Sequence, residues 1–230
     1  MSDFEREIFA NPIWQALRTH HRRFALSLGE AWRYPADVAP FAAVSVPTPS
    51  AFRQLASLLE PDEEMSVVAD RIPRASNLRI LDTIEVLQMM APPEASLAPE
   101  THMSLVQLDA THAGEMSALA SQTLPDYFRG RTRELGCYYG IHVRDELIAM
   151  AGERLMIDRH VEISGVCTHP LHRGSGYASA LVRQLVRRHR QRGLASWLQV
   201  NARNRTAIEL YRRMGFKAFN TILLQKVARA

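Results

Sequence analysis

The sequence has little of what a disulfide-bonded or membrane-spanning protein needs. Only two cysteines, Cys137 and Cys167, occur in 230 residues, too few for a disulfide framework. No apolar run approaches the length of a bilayer-spanning helix. The acidic start at residues 1–7 lacks the basic and apolar regions of a signal peptide. We therefore expect a cytoplasmic protein with reduced thiols and no membrane partner.

The excess of basic over acidic residues is also small. Lys and Arg number 28 against 24 Asp and Glu, which gives a formal net charge of +4. An excess this mild favours attraction of anionic small molecules over a dedicated nucleic-acid surface. The hydrophobic fraction of 47% and charged fraction of 23% are those of an ordinary globular protein. The length suits one large domain or two small ones.

A proline-rich segment at residues 91–99 divides the chain. Its prolines remove backbone donors and disfavour helix before them, so we interpret it as a linker. We predict an N-terminal α/β subdomain over residues 1–98 and a second domain over residues 99–230. The first carries no chemical motif. It could be a degenerate copy of the second or a cap that shapes an acceptor cleft.

Local signals predict two helices and two strands before the linker. Asn11, followed by proline, is a helix cap, and Ser50 is expected to cap a second helix that Pro61 ends. Residues 65–69 and 84–90 are apolar and β-branched enough for strands.

A more regular alternation follows the linker. Polar turns separate three apolar segments and predict an antiparallel meander. A helix precedes the meander and two helices follow it. In order, the predicted elements are strand 103–108, helix 112–121, strands 136–143, 147–155 and 161–168, a glycine turn with its helix, a strand and a last helix. The predicted fold class is α/β of the α+β kind, with a mixed, mostly antiparallel central sheet flanked by helices.

Residues 173–178, Arg-Gly-Ser-Gly-Tyr-Ala, form a turn of mostly small side chains before a helix; we call it the glycine turn. Backbone N–H groups at a helix start can bind an anion, helped by the helix dipole, so we predict a phosphate cradle. Such turns also serve plain chain reversal. A second block at residues 198–216 makes the pair more specific, because it holds a strand, Asn204 as helix cap, Tyr211 and a glycine stop.

The element order and these two blocks resemble the GNAT superfamily of acyl-CoA-dependent N-acyltransferases over about residues 103–227. Residues 162–170 resemble the branch related to the C-terminal part of glycine N-acyltransferases. The resemblance implies a sheet split open to admit pantetheine, with acetyl-CoA as co-substrate and no metal. It also implies cofactor binding by a strand end, the glycine turn with the first turn of the helix it starts, and a helix cap: Val166, Cys167, Thr168, Arg173, Gly174, Ser175, Gly176, Tyr177, Ala178, Ser179 and Asn204.

Transfer to an amine needs a base or a water chain to remove a proton, and the leaving thiolate needs a proton donor. The resemblance places Glu162 where histone acetyltransferases of the superfamily carry their catalytic glutamate, and Tyr211 at the general-acid position. Glu162 could instead be an outward-facing strand residue, and Tyr211 could pack in an apolar helix stripe. The ribosomal-protein acetyltransferases have a glutamate where this chain has Gln199, an amide that cannot accept that proton.

These residues predict an N-acetyltransferase that transfers an acetyl group from acetyl-CoA to a primary amine of a small molecule or peptide by direct attack. The alternative is a catalytically silent acyl-CoA sensor, which Gln199 favours and which Glu162 and Tyr211 disfavour. The amine acceptor, the acyl chain length and self-association as a homodimer stay open. We expect the loop around residues 124–133 to supply pocket walls.

Three weaker patterns have alternatives. Cys167, His169 and His172 are zinc-ligand types without an evident fourth ligand, so we expect no metal. The arginine-rich residues 187–192 could bind nucleic acid or the adenosine phosphate of the cofactor, or form a solvated helix face. Glu153 could line the acceptor cleft or pair across the sheet.

Overall fold

The computed structural model describes residues 3–91, 103–124 and 127–230, so most of the predicted linker and part of the 124–133 loop lie outside the described residues. Within these ranges the chain forms eleven strands and six α-helices. The strands are β1 (Leu26–Leu28), β2 (Ala31–Arg33), β3 (Phe41–Val44), β4 (Glu64–Val68), β5 (Leu78–Met90), β6 (Val106–Leu108), β7 (Tyr138–Val143), β8 (Glu146–Ile157), β9 (His160–Thr168), β10 (Ala195–Asn201) and β11 (Lys217–Arg229). The helices are α1 (Asp3–Ala10), α2 (Pro12–Arg18), α3 (Pro49–Leu58), α4 (Ala113–Thr123), α5 (Tyr177–Gln191) and α6 (Arg205–Arg213).

All eleven strands belong to one sheet in the order β1-β2-β3-β4-β11-β5-β10-β9-β8-β7-β6. Among the strands of the described residues, only β3 with β4 and β9 with β10 run parallel, which confirms the predicted mixed, mostly antiparallel sheet. β5 comes from the N-terminal half of the chain, yet it pairs with β10 on one side and β11 on the other. The two predicted halves therefore share a sheet.

The predicted meander consists of β7, β8 and β9, which pair antiparallel. Arg144 and Asp145 join β7 to β8 with positive φ angles of 50° and 64°. Two successive residues with positive φ match the right-handed twist of a tight hairpin, and Asp tolerates this conformation better than most residues. The polar turn read from the sequence is thus a hairpin loop.

The helix caps confirm one prediction and correct another. Asn11 caps α2 through its side-chain oxygen, as expected. Thr48, and not Ser50, caps α3, because the Thr48 hydroxyl oxygen accepts a hydrogen bond from the Ala51 N–H at 3.1 Å. Pro49 explains the difference. Its fixed φ and missing N–H suit the first helical position, so the residue before it becomes the cap.

Helices α4 and α5 cover opposite faces of β8 and β9. Met150 packs in the apolar cluster under α4, whereas the next residue, Ala151, packs in the cluster under α5. Successive strand residues point to opposite faces, so the two helices sandwich these strands. A third cluster joins α1, α2 and β3 to Trp197 of β10.

Candidate active site

β9 and β10 pair over only four positions, from His160 opposite Ala195 to Ile163 opposite Leu198. Beyond them β9 stays paired with β8, and β10 stays paired with β5. The two parallel strands therefore separate, and we call the opening between their ends the gap. Gly165 lies just past the separation, near a register shift against β8, with a φ of 62° that favours glycine.

A cavity of about 290 Å³ opens at the gap. Its walls near the gap come from β9, β10 and α6: Ser164, Gly165, Val166, Gln199, Val200, Asn201, Asn204, Ala207 and Tyr211. Its other walls include apolar residues from the N-terminal half and β11: Ile13, Phe41, Ile84, Val86 and Leu224. The cavity therefore connects the split sheet with the part of the chain that carries no chemical motif.

The glycine turn leaves its backbone donors available. Gly174 and Gly176 have φ angles of 84° and 81°, and no described atom lies within 4 Å of a Cβ built at either. The N–H groups of residues 174–179 donate to no group in the part of the chain that the structure describes, and no side chain caps α5. Free N–H groups at the start of a helix can bind an anion. Arg173 Nε contacts the Thr168 carbonyl oxygen at 3.4 Å, which ties the turn to β9.

The end of β9 presents main-chain groups to the gap and hides one side chain. Cys167 and Thr168 pair with Met150 and Ala149 of β8, so the opposite edge of β9 borders the gap. Val166 lines the cavity. The Cys167 side chain is buried in the cluster under α4, where burial raises the pKa of the thiol to about 11. That thiol is not a nucleophile at neutral pH.

Tyr211 both packs in the apolar helix stripe and lines the cavity, and its role as the general acid stays a prediction. It is buried, its ring centroid is 5.9 Å from that of Phe216, and it forms part of the cavity wall. Among the described residues none hydrogen-bonds to its hydroxyl. Burial raises the pKa of Tyr211 to about 12, so the phenol stays protonated and able to donate.

Asn204 starts the helix that carries Tyr211. Its side-chain oxygen accepts a hydrogen bond from the Ala207 N–H at 3.1 Å, which confirms the cap. The same residue lines the cavity. Since the cap occupies the amide oxygen, the side-chain NH₂ is the group with which Asn204 can contact a ligand.

Glu162 is fully buried in a hydrogen-bond network. Its carboxylate accepts from Arg154 Nε at 2.9 Å and Nη2 at 2.6 Å, from Leu155 N–H at 3.2 Å and from Gln199 Nε2 at 2.9 Å. Arg154 and Gln199 line the cavity, with the Glu162 carboxylate behind them. The outward-facing alternative is wrong, because the strand is covered on both faces. Its role as the base stays a prediction.

Glu153 points to the other side of the sheet and pairs there. Its carboxylate accepts from the Cys137 N–H at 3.1 Å and contacts His189 Nε2 at 3.2 Å, while His189 Nδ1 lies 2.8 Å from the Ser196 hydroxyl. Burial alone would raise the pKa of Glu153, but the hydrogen bonds from His189 and Cys137, together with nearby positive charge that includes Arg188, lower it. Glu153 therefore fastens α5 to the sheet.

Arg154 and Tyr138 are polar residues of the cavity wall that the sequence analysis did not assign to the site. Arg154 also lies over the Phe41 ring, with its guanidinium carbon 4.7 Å from the centroid. The Tyr138 ring fills space next to Gly152 and Gly165, where a Cβ would come within 2.3 and 3.0 Å of it. The hairpin between β8 and β9 could have predicted the Arg154 partner of Glu162, because it places opposite charges on neighbouring strands. No sequence signal identifies Tyr138.

No group of three or more His, Cys, Asp or Glu in residues 3–91, 103–124 and 127–230 is arranged to hold a metal ion. Over the same residues, every helix is too short or too polar to cross a bilayer.

Comparison with known proteins decides the family. Residues 105–216 match the family model for the acetyltransferase (GNAT) family. A solved structure of a GNAT-family protein from Novosphingobium aromaticivorans DSM 12444 is 31% identical, with 96% of this chain and 98% of that chain covered and a TM-score of 0.87. The chain belongs to the GNAT acetyltransferase family. No curated protein matches it.

Two more distant structures share the GNAT fold. A GCN5-related N-acetyltransferase from Kribbella flavida is 16% identical, covering 95% of this chain and 94% of its own, with a TM-score of 0.63. A GCN5-related N-acetyltransferase-like protein from Streptococcus suis 89/1591 is also 16% identical, covering 94% and 92%, with a TM-score of 0.62. GNAT proteins use an acyl-CoA donor, and the family supports acyl transfer to an amine.

Proposed function

We propose that this GNAT protein is an N-acetyltransferase that moves the acetyl group of acetyl-CoA to a primary amine of a small molecule or peptide by direct attack. One observation carries the proposal: unpaired N–H groups at the start of α5 lie beside a gap that leads into a cavity lined by Tyr211. An anion site, an opening for an extended arm and a proton donor thus occur in one place.

The cofactor is proposed to bind along this path. The N–H groups of residues 174–179 donate to the pyrophosphate, and Arg173 adds positive charge at its edge. The amide-rich pantetheine lies against the free edge of Val166, Cys167 and Thr168 as another strand would. The Asn204 side-chain NH₂ contacts the arm from the opposite side of the gap. One N–H of the β9 end polarises the thioester carbonyl as negative charge develops there.

In the transfer step the amine nitrogen forms a bond to the acetyl carbon and the carbon–sulfur bond breaks. The Tyr211 hydroxyl gives a proton, or a hydrogen bond, to the departing thiolate. The amine loses one proton to a base or to a water chain. Glu162 is the predicted base, and it takes this proton only when Gln199 or the Leu155 N–H releases one of its oxygens.

Several narrower assignments are part of the same proposal. The likeness of residues 162–170 to glycine N-acyltransferases, the division at residues 98 and 99, and a cytoplasmic location stay predictions, as does pairing into a homodimer.

Labelled acetyl-CoA incubated with a panel of amines tests the proposal. We expect acetylated amine and free thiol in equal amounts, with the thiol measured by a chromogenic disulfide. Free thiol without acetylated amine, or no reaction with any amine, contradicts the proposal. If no amine is acetylated, calorimetry with coenzyme A shows whether the protein binds the cofactor without turnover.

The second candidate is an acyl-CoA sensor, and the Glu162 network favours it. Both oxygens of this carboxylate are already engaged, because together they accept four hydrogen bonds from protein groups. Tight coenzyme binding without turnover on any amine would support the sensor.

A further inference from the structure

The part of the cavity wall that comes from α2, β3, β5 and β11 has a composition that selects among amines. Ile13, Phe41, Ile84, Val86 and Leu224 give it an apolar surface. These five side chains favour an apolar body and themselves offer no hydrogen-bond acceptor to a second ammonium group.

Arg154 supplies a hydrogen-bond donor inside this apolar wall. Its Nε and Nη2 are engaged by Glu162, whereas no described residue accepts from Nη1. The side chain is 11% exposed and lines the cavity. The ion pair with Glu162 fixes the guanidinium plane and leaves one end for a ligand.

Tyr138 supplies a second donor that has no partner. Its residue is 1% exposed, and its hydroxyl is buried without a hydrogen bond from the part of the chain that the structure describes. A buried hydroxyl left unsatisfied lowers the stability of the fold, whereas phenylalanine would fit the same space without that cost. Tyr138 lines the same cavity as Arg154. The cavity wall therefore includes a residue whose hydroxyl is an unused donor.

We propose that the acceptor is a small amine with an apolar body and a carbonyl or carboxylate oxygen near its nitrogen, and that Arg154 Nη1 and the Tyr138 hydroxyl bind this oxygen. The inference rests on the proposed function, because it assumes that the cavity holds the acceptor. A cavity of about 290 Å³ is at the small end of ligand-binding cavities and also has to admit the acyl end of the donor, so we expect a small acceptor.

Three amines that share the leucine side chain test whether the acceptor needs an oxygen near its nitrogen. Leucine carries a carboxylate, leucinamide carries a carbonyl, and isopentylamine carries neither. Each is titrated by calorimetry into the protein saturated with coenzyme A, and each is also offered with acetyl-CoA for turnover. We expect leucine or leucinamide to bind at least tenfold more tightly than isopentylamine, and the better of the two identifies the oxygen. Spermidine serves as a polycationic comparison.

The Tyr138→Phe variant tests whether the Tyr138 hydroxyl binds the oxygen of the acceptor. Because it removes only an unpaired hydroxyl, we expect it to fold, to bind coenzyme A as before, and to raise the KM of the preferred oxygen-bearing amine about tenfold. The KM of isopentylamine should not change. Arg154→Lys, which keeps the charge but loses the planar fork, should act in the same direction.

The outcomes separate the two proposals. Equal binding of all three amines, tighter binding of spermidine, or a Tyr138→Phe effect that is the same for isopentylamine overturns the acceptor inference. The expected order of binding without any turnover overturns the N-acetyltransferase and leaves the acceptor inference standing. Turnover of the three amines without preference for an oxygen overturns the acceptor inference and leaves the N-acetyltransferase standing.

Discussion

Arg154 on β8 and Glu162 on β9 form a two-pronged ion pair, with Nε to Oε2 at 2.9 Å and Nη2 to Oε1 at 2.6 Å. Both side chains are almost fully removed from solvent, at 11% and 0% exposure. The pair satisfies the charge of Glu162 and holds Arg154 in the cavity wall. One buried carboxylate thus positions two groups at the site, since it also holds the Gln199 amide.

Breaking this ion pair from one side should destabilise the fold. Replacing Arg154 by Leu leaves an uncompensated buried carboxylate, and we expect the free energy of unfolding to fall by about 3–5 kcal/mol. Arg154→Leu combined with Glu162→Leu should recover much of that loss, because no buried charge remains. Urea unfolding of the two single variants and the double variant measures the coupling. Additive losses would show that the pair is not coupled.

Removing the Tyr211 hydroxyl should slow the chemical step. In Tyr211→Phe no proton donor faces the leaving thiolate, so we expect kcat to fall about 100-fold with the dissociation constant of acetyl-CoA nearly unchanged. Tyr139→Phe is the matched control, since Tyr139 lies on β7 and not among the cavity residues. A Tyr211→Phe variant as fast as the control would leave Tyr211 a packing residue.

Adding one methyl group to the glycine turn should weaken coenzyme binding. Gly176→Ala forces a φ of 81° on a residue with a Cβ, at a cost of about 1–2 kcal/mol, and places the methyl group where the backbone must approach a phosphate. We expect the dissociation constant of coenzyme A to rise at least tenfold while the protein stays folded. Gly114→Ala in α4, also open around its Cβ but without positive φ, is the control. Equal affinity of both variants would remove the cradle from the proposal.

Asn204 allows capping and cofactor contact to be separated. Asn204→Asp keeps an oxygen for the Ala207 N–H but loses the NH₂ group, so stability should stay near that of the original protein while coenzyme affinity falls. Asn204→Ala should lose both, with about 1 kcal/mol of stability. Thermal unfolding and calorimetry on the two variants provide the comparison. Unchanged affinity in Asn204→Asp would restrict Asn204 to its cap.

His21 should make the protein less stable in mild acid. Burial, together with the nearby charges of His20 and Arg23, lowers the pKa of His21 from 6.5 to about 4. The folded state therefore holds the neutral ring, and the unfolded state binds the proton first. The stabilisation is complete above pH 6.5 and is lost as pH falls toward 4, up to about 3 kcal/mol.

Urea unfolding between pH 7 and 4 measures the His21 effect. His21→Asn keeps a side-chain acceptor near the Tyr34 hydroxyl, which lies 2.8 Å from the ring nitrogen, and should flatten the pH dependence. His142→Asn, at a half-buried site beside Glu115, is the control. If the free energy of unfolding depends on pH as steeply in His21→Asn as in the original protein, His21 is not the source of the pH dependence.

Local signals predicted the elements near the glycine turn well. Polar residues between apolar runs fixed the hairpin at Arg144, and Asn204 and Gly215 marked the two ends of α6. These features depend on neighbours in sequence. The short strands β1 to β3 were not found, because three or four residues carry too little periodicity.

The surroundings of Glu162 could be predicted only in part. Arg154 is eight residues away across one hairpin, so its charge was a usable signal. Gln199 reaches the same carboxylate from a strand 37 residues later, and Phe41 reaches Arg154 from the other half of the chain. Such long-range contacts follow from the sheet order, which no local pattern encodes.

The place of β5 in the sheet has a consequence for dissecting the molecule. A fragment that starts after the proline-rich segment would leave β10 and β11 facing each other across a missing strand, with two rows of backbone groups unpaired. The stretch that matches the family model is therefore not a transplantable module. Chimeras designed to exchange acceptor specificity should therefore keep β5 between β10 and β11 and exchange other segments of the cavity wall.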